Sequence, residues 1–425
     1  MNIAIIGTGI AGNVAAYHLS KNHNITVFEA NDYIGGHTHT HEIQHADQLY
    51  KVDSGFIVFN EKTYPNFISL LDELNVKSQK SLMSFSVKCE KTNLEYNGTT
   101  LNSLFAQRRN VFRPKFIGMI KDILRFNENA PRLLEQQDEN LSLGEYLQKN
   151  NYKSEFINHY IIPMGAAIWS ADPKIMHTFP AHYFIRFFHN HGMLNVNDRP
   201  VWRVIENGSN SYVHQLTKTF RKDIRLNTPV KSLRRYPDHI EIETQQFGIE
   251  NFDYVFIACH SNQALHLLQD PTNIEKQVLG DIQYQENEAV LHTDTLILPK
   301  RKLAWAAWNY HILKRSQNRV ALTYNMNILQ SLKAPVEFCV TLNNSKAIDE
   351  SKIIKTMRYD HPIITPQSVT AQQRHREINA NNRTFYCGAY WRFGFHEDGV
   401  VSALNALNHF KEEIENEELH IPRAS

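Results

Sequence analysis

The chain opens on a short apolar run. Residues 2–6, NIAII, are rich in isoleucine with no polar alternation, which predicts a buried parallel strand. Residues 10–22, IAGNVAAYHLSKN, switch to helical spacing: Ile10, Val14, Tyr17 or His18 and Lys21 mark successive turns, with Ala11, Ala15 and Leu19 between them. ITVFEA (25–30) is a second apolar strand, so residues 2–30 predict a βαβ unit with almost no spare length. Residues 61–160 read as mostly helical and carry many charges. Strand patterns return over 225–260 in PVKSL, HIEIET and DYVFIAC, and over 286–345 in AVLHTDTLIL, RVALTYNM and VEFCVTL. The tail, VSALNALNHFKEEIENEE, predicts a helix whose acidic end is a solvated face. The chain shows no internal repeat and no low-complexity linker.

Composition narrows the class. A length of 425 residues suits two domains or one large α/β enzyme, and 42% apolar residues suffice for a substantial core. The formal net charge of +1 gives no case for nucleic acid or a strongly acidic partner. Cys89, Cys259, Cys339 and Cys387 are scattered without metal or CxxC spacing and read as reduced thiols of a cytoplasmic protein. Met1 leads into the first strand without a basic or cleavable leader. The longest apolar run, YIIPMGAAIW (160–169), is too short to cross a bilayer and contains Pro163. The expectation is a cytoplasmic protein, or one attached peripherally to the inner face of the membrane.

Gly7, Gly9 and Gly12 form G-x-G-x-x-G between the first strand and the first helix, and Glu29 closes the second strand. Gly7 permits the tight turn. Gly9 lets backbone approach a diphosphate, and Gly12 lets helix and strand pack closely. Thr8, Ile10 and Ala11 complete a turn that offers free N–H groups and a positive helix end to phosphates. The Glu29 carboxylate, with Ala30 beside it, suits ribose hydroxyls and would repel a 2′-phosphate. His37, His39 and His41 alternate in IGGHTHTHEI and could place three imidazoles on one strand face, as zinc requires. No nearby carboxylate or cysteine completes a ligand set, so no metal is assigned.

The segment after Glu29, ANDYIGGHTHT, resembles the FAD-binding turn of the amine oxidase, protoporphyrinogen oxidase and phytoene desaturase superfamily. There the Gly-Gly pair is usually followed by arginine; here His37 follows Gly35 and Gly36, with Thr38 next. VDSGFIVFNEKTYPNF (52–67) is similar to the superfamily's D-x-G segment, which implies that Gly55 and Phe56 approach the flavin ring. TPVKSL implies an adenine contact at Val230, and FDYVFIAC a return to the cofactor at Ala258. FYCGAYWRFGFHEDGVVSALNAL (385–407) is similar to the closing motif, in which backbone N–H groups before the last helix hold the flavin and the ribityl-phosphate, and this implies that role for Gly388, Phe395, His396, Glu397, Asp398, Gly399 and Val400.

GGHTHT, PMGAAIWSADP, FFHNHGML, LHTDTLILPKRKLAWAAWNYH and GFHEDG more narrowly resemble bacterial proteins described as predicted NAD/FAD-binding and encoded near cyclopropane-fatty-acid-synthase-like methyltransferases. VIENGSNSYV (204–213) departs from that pattern, since Asn207 stands where a Gly-Gly-Ser turn would begin.

The resemblance implies an α/β chain: a Rossmann-like FAD-binding domain of the glutathione-reductase type, amine oxidase-like, with an interleaved α+β substrate domain. The expected division is FAD-binding over 1–75, 201–270 and 371–425, a mainly helical substrate- or membrane-facing region over 76–200, and a β-rich substrate part over 271–370. A second G-x-G-x-x-G is absent, which favours substrate oxidation at the flavin over NAD(P)H use.

Trp305, Trp308, Tyr310, Tyr324, Tyr390 and Trp391 are candidates for an aromatic substrate wall, with Trp308 and Tyr324 foremost. His292 and Asp294 alternate in LHTDT and are a candidate acid–base pair. FAQRRNVFRPKFIGMIKDILRF (105–126) reads as a basic amphipathic helix that either packs on the core or lies on anionic lipid. The expected activity is oxidation (desaturation) of a hydrophobic substrate, such as a modified acyl chain of a phospholipid. Amine or porphyrinogen oxidation, or a flavin-binding accessory role beside a lipid methyltransferase, remain alternatives.

Overall fold

The computed structural model describes residues 1–135, 141–195, 199–315 and 318–420. The opening βαβ unit forms as the sequence pattern requires: β1 (Asn2–Ile6), α1 (Ile10–Leu19) and β2 (Asn24–Phe28). β1 is the centre of a parallel five-stranded sheet. Its order is Ile224–Arg225, β2, β1, Tyr254–Ile257, Thr384–Tyr386. Strands from the start, middle and end of the chain thus build one sheet.

One face of this sheet is covered by α1, Pro65–Glu73, Asn210–Thr217 and the last helix, His396–His420. The other is covered by the antiparallel strands Val230–Arg235, Ile240–Thr244 and Gly248–Phe252, with the helices Ser261–Leu267 and Asn273–Gly280. Both faces are buried, which is why β1 and Tyr254–Ile257 are apolar without alternation.

A second, seven-stranded sheet runs Ile353–Pro362, Tyr284–His292, Cys339–Leu342, Leu322–Asn325, Trp308–Ile312, Phe85–Cys89, Leu94–Asn97. It shares the largest apolar core with the helices between Pro114 and Asn190. Three features of the fold differ from the sequence reading. Phe85–Cys89 and Leu94–Asn97 form a hairpin inside the stretch expected to be mostly helical, turning at Asn93 with φ 51°. Their charged residues, Lys88, Glu90, Lys91 and Glu95, mask a short strand alternation. The expected strand AVLHTDTLIL stops at His292, and Thr295–Ile297 is a 3₁₀ turn capped by Asp294. The last helix begins at His396, ahead of the apolar spacing that marks it in sequence.

Asn207 needs no glycine. It and Gly208 take left-handed conformations, φ 63° and 85°, and asparagine tolerates that region. No helix among the described residues is long and apolar enough to cross a membrane.

Candidate functional site

The glycine turn sits where β1 meets α1, with Gly7 at φ 102° and its open side against the Ala258 carbonyl. A Cβ on Gly12 would overlap the Gly7 carbonyl oxygen, so helix and turn are closed on each other. A Cβ on Gly9 would meet nothing within 4 Å. Gly9 caps α1 in extended backbone without a side-chain cap, leaving the helix start open to an anion.

The second turn arrives from the other side. Gly35 and Gly36 have φ 129° and 59°, and a Cβ on Gly36 would lie 3.2 Å from the Gly9 Cα. Two glycine turns therefore face each other at backbone contact. Gly55 brings a third segment in, since its Cβ would overlap the His37 carbonyl, and the Phe56 N–H donates to that same oxygen at 2.8 Å.

Glu29 stands at the end of β2, buried. Its carboxylate accepts from the Thr8 N–H (3.0 Å) and hydroxyl, and from the Asn31 N–H (2.9 Å) and side-chain amide (2.8 Å). It thus ties the glycine turn to the strand end. Ala30 is exposed beside it, and Val230 begins the strand alongside. We expect Glu29→Gln to lower FAD affinity about tenfold or more, because charge-assisted hydrogen bonds contribute roughly 1.5–3 kcal/mol. A flavin-release titration checks this; unchanged affinity would remove Glu29 from the site.

His37 parts from the other two histidines, whereas His39 and His41 stay together with ring centroids 4.1 Å apart. His37 points towards Tyr359, His361 and His260, with ring centroids at 5.0, 5.6 and 5.8 Å. Its Nε2 is buried with no hydrogen-bond partner among the described residues. Burial holds its pKa below the usual imidazole value. His39 instead stacks on Tyr33 at 4.0 Å, and the Nε2 of His41 is 2.8 Å from the Ser54 hydroxyl. Among the described residues no group of three or more His, Cys, Asp or Glu side chains is arranged to hold a metal ion.

A buried network closes the site. Thr38 is hydrogen-bonded to Tyr212 (2.7 Å) and His396 (3.0 Å), and Tyr212 to His396 (2.7 Å). Phe56 stacks on His396 at 3.4 Å. Burial holds the His396 pKa well below its usual value, so the ring is a neutral hydrogen-bonding group. Asp53, from the D-x-G segment, has a separate set of buried partners. Its carboxylate accepts from Thr40 (2.5 Å), the Ser209 N–H (3.0 Å) and hydroxyl (2.8 Å), and Gln330 (2.9 Å). Burial nonetheless pushes its pKa up to about 6. Tyr212, Asp53, His260, Tyr359 and His361 were not legible as site residues, because each is brought in by tertiary pairing.

The side chains of the closing motif serve capping and packing. The Glu397 carboxylate accepts from the Asn66 N–H (3.1 Å) and Phe67 N–H (2.9 Å) and so caps the helix Pro65–Glu73. Asp398 accepts from the Phe395 N–H at 2.9 Å and faces Arg392 at 3.6 Å; burial pushes its carboxyl up to about 7. A Cβ on Gly399 would lie 2.5 Å from the Ile10 side chain, so this glycine serves the packing of the last helix on α1. Val400 is buried in the same core. Gly388 leaves room for the Tyr390 ring. The backbone at the start of the last helix, rather than these side chains, is what remains for a cofactor. Cys387 is fully buried in the core, where burial raises its thiol pKa.

Residues 10–290 match the model of the family described as flavin containing amine oxidoreductase. The chain belongs to that family. Its members bind FAD and are FAD-dependent oxidoreductases. The orphaned His37 nitrogen, the open Gly9 and the uncapped helix start fit the diphosphate and ribityl parts of such a cofactor.

Solved structures share the fold at low identity. Cyclohexylamine oxidase from Brevibacterium oxydans IH-35A has a TM-score of 0.67 at 14% identity, covering 97% of this chain and 99% of that one. Putrescine oxidase bound to putrescine gives 0.66 at 14%, covering 97% and 99%. A CLA-producing fatty acid isomerase from P. acnes gives 0.65 at 14%, covering 96% and 98%. No curated protein matches the sequence.

The catalytic candidates are scattered. Trp308 and Tyr324 face each other across neighbouring strands, edge to face at 5.3 Å, in the large core that also holds Phe395. Trp305 lies in a separate small core, while Tyr390 and Trp391 pack beneath the five-stranded sheet, so the six aromatics do not form one wall.

His292 and Asp294 do not form an acid–base pair. The Asp294 N–H donates to His292 Nδ1 at 3.0 Å, and its carboxylate binds Lys352 at 3.1 Å and caps the next turn. His292 belongs to a buried ladder across four strands: His292 to Thr341 (2.7 Å), Thr341 to Thr323 (2.8 Å), Thr323 to His311 (3.0 Å). Tyr284, at the other end of the same strand, is the residue that stacks on His260, 4.6 Å away. At roughly 3.3 Å per residue, that strand holds His292 far from the glycine turns.

Proposed function

We propose that this enzyme oxidises a hydrophobic substrate by desaturation, with a modified acyl chain of a phospholipid as the substrate class. The observation that carries the reading is the apolar, aromatic character of the side facing Phe395. Phe187 lies 5.2 Å from Phe395, His191 6.1 Å, and Trp308 and Tyr324 belong to the same core. The cavity that Phe395 and His191 line also carries Lys62, Arg392, Glu397 and Asp398, so in this reading the aromatic side takes the alkyl chain and the charged side a polar headgroup.

In this reading bound FAD supplies the electron-accepting ring. Gly7, Gly9, Gly12, Gly35, Gly36 and His37 hold its diphosphate and ribityl parts, Glu29 its ribose. Thr38, Tyr212 and His396 fix the ring end, Trp308 and Tyr324 orient the substrate, and no residue is assigned as acid or base. The FAD-binding parts are taken as 1–75, 201–270 and 371–425, and the substrate parts as 76–200 and 271–370. The resemblance to proteins encoded near cyclopropane-fatty-acid-synthase-like genes supports a lipid substrate, a methyltransferase partner and work at a membrane surface. Oxygen, a quinone or a partner protein would take the electrons.

Anaerobic mixing of the holoprotein with candidate substrates tests this. We expect the flavin absorbance to bleach with phospholipids whose acyl chains such a methyltransferase has modified, and not with primary amines. Bleaching by amines alone would overturn the lipid reading.

A further inference from the structure

The amphipathic helix expected over 105–126 does not offer its apolar face to lipid. In the helix Pro114–Asn129 the residues Phe116, Met119 and Phe126 are buried in the large core, with Ile120 and Ile123 packed against it. Leu124 is the helix's one exposed large apolar residue, at 53%, and others are scattered over the surface, whereas a group of them lies just before that helix and in a distant segment beside it. Leu101 is 76% exposed, Phe112 88% and Leu296 79%, and Val111 and Leu303 are exposed as well.

Buried polar bonds hold the two segments together at the edge strand Leu94–Asn97 of the seven-stranded sheet. The Glu95 carboxylate accepts from the Lys300 N–H (2.9 Å) and the Arg301 N–H (3.2 Å), while the Glu95 N–H donates to Gln107 (3.1 Å). The Asn97 side-chain amide donates to the Trp305 carbonyl at 2.8 Å, and the Ser103 hydroxyl to the Asn97 carbonyl at 3.1 Å. Lys88 fastens the loop that carries Leu296 by donating to the Ile297 and Leu298 carbonyls, both at 3.0 Å.

Charge on these two segments has one sign. Arg108, Arg109, Lys300, Arg301 and Lys302 are exposed, and neither 99–115 nor 295–305 contains an acidic residue. Isolated exposed leucines need no explanation, but five apolar side chains ringed by cations on one rigid edge do.

We propose that this edge docks on an anionic phospholipid bilayer, with Phe112, Leu101 and Leu296 entering the interface and the arginines and lysines pairing with headgroup phosphates. Unopposed positive charge argues against a second copy as the occupant, since like charges would meet. The apolar tips argue against a purely polar polyanion. The proposal extends the lipid reading above by naming the surface, and rests on it only in linking that surface to the substrate.

Cosedimentation of the FAD-loaded full chain with vesicles tests it. We expect binding to phosphatidylcholine vesicles containing phosphatidylglycerol, and little binding to phosphatidylcholine alone. Phe112→Asp with Leu296→Asp should lower partitioning about tenfold, as should Arg108→Gln with Arg109→Gln, with FAD content unchanged in both pairs. Absence of vesicle binding by the wild type would overturn the proposal. So would binding that survives the aspartate pair, which would mean adsorption by charge alone. A dimer that the aspartate pair converts to monomer, without change in vesicle binding, would assign the edge to a second copy. Flavin bleaching by soluble or detergent-dispersed lipid reads the substrate proposal separately, so either can fail alone.

Discussion

Gly12→Ala should lose FAD and stability together. The added methyl group overlaps the Gly7 carbonyl oxygen and comes within 3.1 Å of the Ala258 side chain, so backbone must shift. Overpacking of this kind costs typically about 1–3 kcal/mol. The shift also moves the turn whose N–H groups face the phosphates, so FAD affinity should fall about a hundredfold or more. Thermal unfolding and flavin titration of the purified variant read both effects. A variant with wild-type affinity and melting temperature would show that the turn and α1 are not closed on each other.

Acid should destabilise the protein from about pH 7 downward through its buried histidines, against a smaller opposing gain from Asp53 and Asp398, whose buried carboxyls take up protons in the same range. Burial lowers the pKa of His41 and His311 to about 3, and of His191 and His292 to about 4. All four are buried. Each pKa lies below the unfolded value of about 6.5, so the folded state favours the neutral ring. That stability is complete above pH 6.5 and is lost as pH falls towards the folded values. At about pH 5 each ring forfeits at most about 2 kcal/mol, a combined loss comparable with the whole stability of a domain. At His292 and His311 the added proton also breaks a hydrogen bond: on His292 Nδ1 it would face the Asp294 N–H, and on His311 Nε2 the Thr323 hydroxyl. We expect a flat melting temperature above about pH 7 and a fall of about 10 °C or more by about pH 5. A level profile across that window would mean the rings are hydrated or already charged.

Much of the cofactor half was legible because its signals are local. Gly7, Gly9, Gly12 and Glu29 lie within one βαβ unit whose spacing leaves little freedom, and β1, α1 and β2 form where the pattern places them. The substrate half was not, because its signals are relational. The charges of Phe85–Cys89 and Leu94–Asn97 conceal a hairpin that exists only through pairing with Trp308–Ile312. His292 and Asp294 share a period-two spacing that suggests a common face, but the strand ends between them and their bonds part. Glu397 and Asp398 sit in a flavin-binding motif, yet their carboxylates serve the helix Pro65–Glu73 and the turn before their own helix. The basic stretch over 105–126 shows amphipathic spacing in sequence, and only burial tells that its apolar side faces inward.

The central claim is that the cofactor lies where the two glycine turns meet, and Gly9→Ala tests it most directly. The new methyl group meets no atom within 4 Å beyond its own chain neighbours, so the fold itself has no reason to change, while a diphosphate held by this turn would meet it. Titrating FAD into the refolded apoprotein, we predict an affinity about tenfold or more below wild type with an unaltered melting temperature of the apo form. Wild-type FAD affinity in that variant would contradict the assignment and move the diphosphate away from Gly9.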